Sequence, residues 1–341
     1  MLSDNHLLEV QNLKMYFPSP GKGERVLKAV DDVSFRIGQR ETLGLVGESG
    51  CGKSTLARAI VRLYRPTAGV ILFRGEDLAQ LEGERLWQTR RQIQMIFQDP
   101  YSSLNPRMRV AEILSEPLRN FQLTENLQAR MLELVTLVGL DASSLSRYPH
   151  EFSGGQRQRI AIARALALNP ALVIADEPLS ALDVSIQAQI VNLLRELQTR
   201  LGLSYLFISH DLSVVSLMSH RVVVMYLGQS VETAPTRELF AKPWHPYTEA
   251  LLSAIPVPDP RRERSKGRIV LKGDVPSPLH RPPGCPFHPR CPYAFERCRA
   301  EKPLLQVYAP GRWVSCHLYA EPERQPRPGS AIGPGSGRPE P

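Results

Sequence analysis

The sequence lacks long apolar runs and internal repeats, and it contains only five cysteines. No run approaches the roughly 18 consecutive apolar residues of a membrane-spanning helix, so none is predicted. Residues 1–6 lack the basic and apolar regions of a signal peptide, and we therefore expect a cytoplasmic chain. The missing repeat argues against two fused copies of one domain. At 341 residues with 42% hydrophobic content, the chain can form one large globular domain plus an extension.

Acidic residues do not balance the basic ones near the C-terminal end of the sequence. The net charge of +8 comes from residues 261–341, which hold 15 Lys and Arg against 7 Asp and Glu, because the first 260 residues hold 27 of each. Such a region can bind nucleic acid, an anionic membrane surface or an acidic partner, or it can be a solvated surface. We favour a position near a membrane and partner subunits. The proline-rich residues 321–341 are predicted to be disordered.

Residues 47–55 fit the pattern G-x-x-x-x-G-K-[ST] of a phosphate-binding loop. Residues 41–46 are apolar enough to predict a buried strand before the loop, and apolar residues at helical spacing follow it. Glycines let main-chain N–H groups surround a polyphosphate, and the start of the helix adds positive potential. The residues predicted to bind nucleotide here are Gly47, Glu48, Ser49, Gly50, Cys51, Gly52, Lys53, Ser54 and Thr55.

Further segments follow in a fixed order. Residues 153–156, Ser-Gly-Gly-Gln, open a predicted helix and offer a second anion-binding surface. The apolar residues 171–175 predict a strand that delivers Asp176 toward Mg²⁺ and Glu177 toward a water molecule. Residues 180–183 come directly after it. Another predicted strand ends at His210.

Together these segments resemble an ABC-type ATPase subunit over about residues 7–255. The resemblance identifies the Walker A loop, a glutamine loop at Gln98, the signature at 153–156, the Walker B strand, the D-loop at 180–183 and a switch histidine. Phe152 stands where leucine is commoner, which keeps an apolar residue. The implied fold is an α/β P-loop NTPase with a RecA-like parallel-sheet core and an N-terminal antiparallel part. A helical subdomain at about 99–165 carries the signature.

The resemblance also implies the ligands and the roles of the site residues. ATP and Mg²⁺ are the expected ligands, with Lys53 on the outer phosphates. Phe17 is favoured over Tyr16 as the adenine platform. The expected Mg²⁺ ligands are Ser54 and Gln98, with Asp176 acting on the ion through a water molecule. The expected catalytic residues are Glu177 as general base, His210 at the γ-phosphate, Gln98 and Lys53. The residues expected to act on the ATP of a facing subunit are Ser153, Gly154, Gly155 and Gln156.

Residues 256–320 contain the other four cysteines: Cys285, Cys291, Cys298 and Cys316. In a cytosolic protein, such a cluster suggests a metal or iron–sulfur site rather than disulfides. The spacing C-x5-C-x6-C-x17-C is not that of a common zinc finger, and four thiolates could hold a [4Fe–4S] cluster. Zinc and unligated thiols remain as alternatives.

The segment His245-Pro246-Tyr247 and the cysteine-containing extension resemble the oligopeptide/dipeptide importer branch of the ABC family. Residues 98–108 resemble its F-type subunit. The resemblance implies a [4Fe–4S] cluster in some members. It also implies a paralogous ATPase partner, two integral-membrane permease subunits and an external solute-binding protein. The chain would then lie peripherally on the cytoplasmic face of the inner membrane.

The predicted function is ATP hydrolysis that energises uptake of dipeptides, oligopeptides or related solutes. The solute stays open, since nickel, glutathione and opine-like compounds are transported by similar systems. The alternative is a soluble ABC ATPase that acts on ribosomes or DNA. Those proteins usually carry two ATPase halves or long coiled-coil insertions, which this sequence lacks, so no nucleic-acid partner is expected. A module that binds without hydrolysis is disfavoured by Glu177 and His210.

Overall fold

The computed structural model describes residues 6–18, 26–99, 103–256 and 268–320. The tail at 321–341 that the sequence predicts to be disordered lies outside the described residues. The described chain forms two compact units, which divide between Ser230 and Val231. The domain boundary that the sequence suggests near residue 255 falls within the second unit and stays a prediction, as does the extension at 256–320.

The first unit is built on two sheets. The strands are β1 (Leu8–Pro18), β2 (Val26–Ile37), β3 (Thr42–Val46), β4 (Ala68–Phe73), β5 (Glu76–Asp77), β6 (Ile93–Ile96), β7 (Leu172–Asp176), β8 (Ser204–Ile208) and β9 (Arg221–Tyr226). Parallel pairing joins five of them in the order β9-β3-β8-β7-β6. Every residue of β3, β7 and β8 is buried, as expected for parallel strands covered on both faces.

The N-terminal strands form an antiparallel sheet in the order β2-β1-β4-β5. The side chains of β1 alternate between buried and less buried positions, with Leu8, Val10 and Leu13 in the core. Register shifts in the pairing of β1 with β2 interrupt this alternation. The predicted antiparallel part and parallel core are therefore both confirmed.

The helices of the first unit are α1 (Lys53–Ile60), α2 (Gly83–Gln92), α3 (Val110–Asn120), α4 (Leu127–Leu137), α5 (Gly154–Leu166), α6 (Val184–Leu201) and α7 (Leu212–Met218). Helices α3 and α4 lie within the stretch 99–165 that the sequence predicts to be a helical subdomain, and α5 spans its end. None of the described helices combines the length and the hydropathy needed to cross a membrane.

The second unit is smaller. Its elements are β10 (Gln229–Pro235), α8 (Thr236–Ala241), α9 (Pro246–Ser253), α10 (Glu296–Ala300), β11 (Gln306–Ala309), β12 (Arg312–Val314) and α11 (His317–Ala320). Strand β12 pairs antiparallel with both β10 and β11.

Buried Glu232 organises this unit around the His-Pro-Tyr segment. Its carboxylate accepts hydrogen bonds from Trp244 N at 2.9 Å and His245 N at 2.8 Å, and from Arg312 Nη2 at 3.2 Å. His245 Nδ1 accepts from Tyr247 N at 3.1 Å and so caps α9. Burial lowers the pKa of His245 to about 3, so the ring stays neutral. The His-Pro-Tyr segment therefore has a structural role within the second unit.

Candidate active site

The phosphate loop follows β3, and its backbone needs glycine at two positions. Gly47 has φ +154°, and a Cβ there would lie 2.2 Å from Met225 O. Gly52 has φ +103°, and a Cβ there would lie 2.1 Å from Ala29 O. A side chain at either position would collide with main chain, which does not yield easily. The loop geometry is thus fixed by its glycines.

Lys53 opens helix α1 and is 4% exposed. Its Nζ donates to Gly47 O at 2.8 Å and to Glu48 O at 3.0 Å, so the ammonium group lies within the loop. Gly52 at the N-cap provides no side-chain capping bond. The first N–H groups of the helix are therefore available to an anion, together with the lysine charge.

Ser54 and Asp176, two residues of the predicted magnesium site, lie in contact. Ser54 Oγ donates to Asp176 Oδ1 at 2.9 Å. Burial raises the pKa of Asp176, and the nearby charge of Glu177 raises it further, while the Ser54 hydrogen bond opposes both effects. A hydroxyl and a carboxylate are hard oxygen donors of the kind that Mg²⁺ prefers, so these residues fit the ion.

Glu177 lies between Gln98 and His210, two of the other predicted catalytic side chains. Its Oε2 is 3.2 Å from Gln98 Nε2 and 3.2 Å from His210 Nδ1. The Glu177 side chain is 13% exposed and that of His210 is 60% exposed. The structure therefore brings Gln98, Glu177 and His210 together, with the amide of Gln98 directed at the carboxylate.

Phe17 at the end of β1 remains the candidate adenine platform. Its ring packs edge-on against Tyr64, with centroids 5.6 Å apart and an interplanar angle of 82°. Tyr16 is engaged elsewhere, because its hydroxyl donates to Asp31 Oδ1 at 2.5 Å and Lys28 lies over its ring. Tyr64 carries no signal in the sequence that would have singled it out.

The signature residues form the start of α5. Ser153 is the N-cap: its hydroxyl accepts from Gln156 N at 3.3 Å, and Gln156 Oε1 accepts from Ser153 N at 3.0 Å. A Cβ at Gly155 would lie 2.5 Å from Ile186 Cγ2, so glycine is needed for close packing on α6. The expected action of these residues, with Gly154, on a facing subunit stays a prediction.

Phe152, the residue before the signature, is buried against a cation. The guanidinium of Arg147 lies 4.2 Å from the centre of its ring, and Phe152 itself is 4% exposed. A leucine could fill the same space but would not offer a π face to the arginine. This contact gives the phenylalanine a local role in holding the approach to the signature.

The four cysteines of the second unit are free thiols, as is Cys51 in the phosphate loop. Burial raises the pKa of Cys285 to about 11 and that of Cys291 to about 12. Among the described residues, no group of three or more Cys, His, Asp or Glu side chains is arranged to hold a metal ion. The structure therefore does not support the predicted [4Fe–4S] cluster on Cys285, Cys291, Cys298 and Cys316. We give these thiols no part in the proposed reaction.

A phosphate loop and a carboxylate pair at the end of a parallel strand, with a signature helix and a switch histidine, define an ABC-type ATPase. The model of the ABC transporter family matches residues 30–180. The model of the oligopeptide/dipeptide transporter C-terminal region matches residues 231–298. The chain belongs to the oligopeptide transport ATP-binding proteins of the ABC transporter family.

Similar curated proteins carry that description. The putative oligopeptide transport ATP-binding protein YkfD of Bacillus subtilis is 55% identical over 320 residues, which cover 93% of this chain and 97% of YkfD. The oligopeptide transport ATP-binding protein OppF of Salmonella typhimurium is 51% identical over 309 residues, covering 88% of this chain and 92% of OppF. These relatives do not support the ribosome or DNA alternative.

Solved structures agree on the fold. The ATP-binding cassette MJ0796, solved as a dimer with ADP and Pi after hydrolysis, superposes with a TM-score of 0.60 at 30% identity. The match covers 67% of this chain and 99% of the MJ0796 chain. CbiO1 from Clostridium perfringens, part of the ABC transporter complex cbiONQ, superposes with a TM-score of 0.62 at 28% identity. The match covers 70% of this chain and 92% of the CbiO1 chain.

Proposed function

We propose that this chain hydrolyses ATP to energise the uptake of oligopeptides or dipeptides through an ABC importer. The observation that carries the proposal is the convergence of Ser54, Asp176, Gln98, Glu177 and His210 beside a phosphate loop. The peptide part rests on the names of relatives that are 50% identical or more over most of both chains.

Phosphoryl transfer to water depends mainly on positioning and charge neutralisation. Lys53 and the loop N–H groups bind the β- and γ-phosphates. Ser54, Gln98 and Asp176 would hold Mg²⁺, which would supply neutralisation of the phosphate charge. The Glu177 carboxylate accepts a proton from the attacking water and orients it. His210 contacts the γ-phosphate. Phe17 stacks on the adenine.

The proposal includes an assembly. The chain pairs with a second ATPase, a paralogue because of its F-type loop, so that the residues at 153–156 of each subunit close on the ATP of the other. Two permease subunits and an external solute-binding protein complete the importer, with this chain at the cytoplasmic face of the membrane. Relatives named as transport ATP-binding proteins and a similar cassette that forms a dimer support this arrangement.

Glu177→Gln tests the catalytic part. We expect the purified chain, or the complex in which it is recovered, to bind ATP as tightly as wild type while steady-state hydrolysis falls at least about a hundredfold. Glu196→Gln, on the exposed face of α6, is the matched control and should keep full activity. Undiminished hydrolysis in Glu177→Gln would refute the base assignment.

Affinity purification from detergent-solubilised membranes tests the assembly. Two multi-span permeases and a second ATPase, identified by mass spectrometry, are the expected companions. The binding protein that pairs with those permeases can then be assayed for peptide binding. Recovery with ribosomes and without a permease would overturn the transport function.

A further inference from the structure

Glu177 holds its carboxylate on a left-handed main chain, with φ +47°. Few residues other than glycine adopt this conformation, and contacts on both sides have to maintain it. On the strand side, Glu177 N donates to Ile208 O at 3.0 Å, which extends the pairing of Asp176 with Ile208. The direction of the carboxylate therefore depends on the turn that follows.

Ser180 closes this turn with two bonds to one oxygen. Its main-chain N donates to Glu177 O at 3.3 Å, and its hydroxyl donates to the same oxygen at 3.1 Å. The main-chain bond survives any substitution except proline. The hydroxyl bond is lost in alanine, so part of the turn depends on the side chain of Ser180.

Gln187 fixes the same turn from helix α6. Its Nε2 donates to Leu179 O at 3.1 Å, and Leu182 N donates to that oxygen at 3.2 Å. Leu179 is 5% exposed, which anchors the middle of the turn in the core. Gln187 is itself half-buried at the first turn of α6. Glu177 is thus linked through Leu179 to a helix as well as to a sheet.

We infer that Ser180 and Gln187 are positioning residues for catalysis: their hydroxyl and carboxamide hold the turn that directs the Glu177 carboxylate at the attacking water. This inference rests on the proposed role of Glu177 as the base. Both side chains donate to main-chain carbonyls of the turn, Glu177 O and Leu179 O. Their contribution therefore reaches the reaction only through Glu177.

The test uses Ser180→Ala and Gln187→Met in the full chain, in the same assembly as the wild type. Small misplacements of a catalytic group cost between about tenfold and about a hundredfold in rate. We expect kcat to fall by roughly tenfold in each variant, while the KM and the Kd for ATP change less than about twofold. Ser180→Thr keeps the hydroxyl and should restore the rate. Ser185→Ala and Gln189→Met, exposed positions on α6, are the matched controls.

Each substitution is then combined with Glu177→Gln, and residual single-turnover hydrolysis is compared. A positioning role predicts that Ser180→Ala and Gln187→Met cause no further loss once the base is absent. A further loss, a parallel loss of ATP affinity, or a wild-type kcat in both single variants would overturn the inference while leaving Glu177 as the base. Full activity in Glu177→Gln would refute the proposed function and this inference together.

Discussion

Replacing Arg312 by methionine should destabilise the second unit far more than an exposed substitution does. The Arg312 side chain is 7% exposed and pairs with fully buried Glu232, Nη2 to Oε1, at 3.2 Å. The same Nη2 donates to Lys242 O at 2.7 Å. The guanidinium also lies 3.7 Å from the centre of the Trp244 ring. One substitution therefore removes an ion pair, a hydrogen bond and a cation–π contact.

The cost follows from the burial of both partners. Removing one member of a buried ion pair costs about 3–5 kcal/mol, because the other charge stays buried without compensation. Glu232 keeps its two main-chain donors, Trp244 N and His245 N, and can take up a proton. The remaining donors and the uptake of a proton both reduce the loss of stability, so we expect a decrease of about 3 kcal/mol in the free energy of unfolding.

Urea unfolding followed by tryptophan fluorescence measures this decrease. Two of the three tryptophans, Trp244 and Trp313, lie in the second unit, so a Trp87→Phe background reports on that unit alone. Arg299→Met removes an exposed arginine from α10 and is the control, with an expected change below about 0.5 kcal/mol.

The pH dependence gives an independent check. Burial raises the pKa of Glu232 and the charge of Arg312 opposes this effect, so folded Arg312→Met binds the Glu232 proton more tightly than the folded wild type and than the unfolded chain. The stability contributed by that proton is complete at low pH and is lost as the pH rises through the window above the unfolded value. Lowering the pH from about 8 to about 5 should therefore recover part of the loss in Arg312→Met. A loss below about 1 kcal/mol, or one independent of pH, would refute the reasoning.

Three further outcomes are expected. Gly47→Ala should abolish binding of a fluorescent ATP analogue, because its Cβ would lie 2.2 Å from a main-chain oxygen. The Cβ of Gly50→Ala would meet no atom within 4 Å, so this variant should lose little affinity beyond the effect of backbone strain. Equal effects of the two substitutions would contradict this reasoning. Phe17→Ala should weaken ATP binding by roughly tenfold in calorimetry, with Phe17→Tyr near wild type, because stacking on a base contributes about 1–3 kcal/mol. Cys285 and Cys291 should resist iodoacetamide near pH 8 in the native chain, since their pKa values of about 11 and about 12 leave almost no thiolate. Rapid labelling seen by mass spectrometry would contradict this.

The parts of the site that lie in continuous motifs were predictable from the sequence. The loop at 47–55 is specified by glycine positions and a flanking strand and helix, and the structure has β3 and α1 at those places. An apolar run of strand length leads to Asp176, and strand β7 ends at that residue. Such local patterns carry their own geometry, because a strand, a turn and a helix start are each encoded within a few residues.

Contacts between distant segments were not predictable. Glu232 and Arg312 are separated by 80 positions, and nothing in either local sequence indicates a pair. The edge-on contact of Tyr64 with Phe17 likewise depends on how the chain returns after α1. The cysteine spacing suggested a cluster that the structure does not support, because among the described residues no group of three or more Cys, His, Asp or Glu side chains is arranged to hold a metal ion. These features depend on tertiary packing.

Strand order explains why one carboxylate meets both Gln98 and His210. Strand β7 pairs with β6 on one side and with β8 on the other, all in parallel. Parallel strands end at the same edge of a sheet, so the residues that follow β6, β7 and β8 have to lie side by side there. Gln98 follows β6, Glu177 follows β7 and His210 follows β8. Glu177 is therefore flanked from both sides, with both contacts at 3.2 Å on the same oxygen. Any other position for β7 in the sheet would separate Glu177 from one of its two neighbours, so the strand order accounts for this arrangement of side chains.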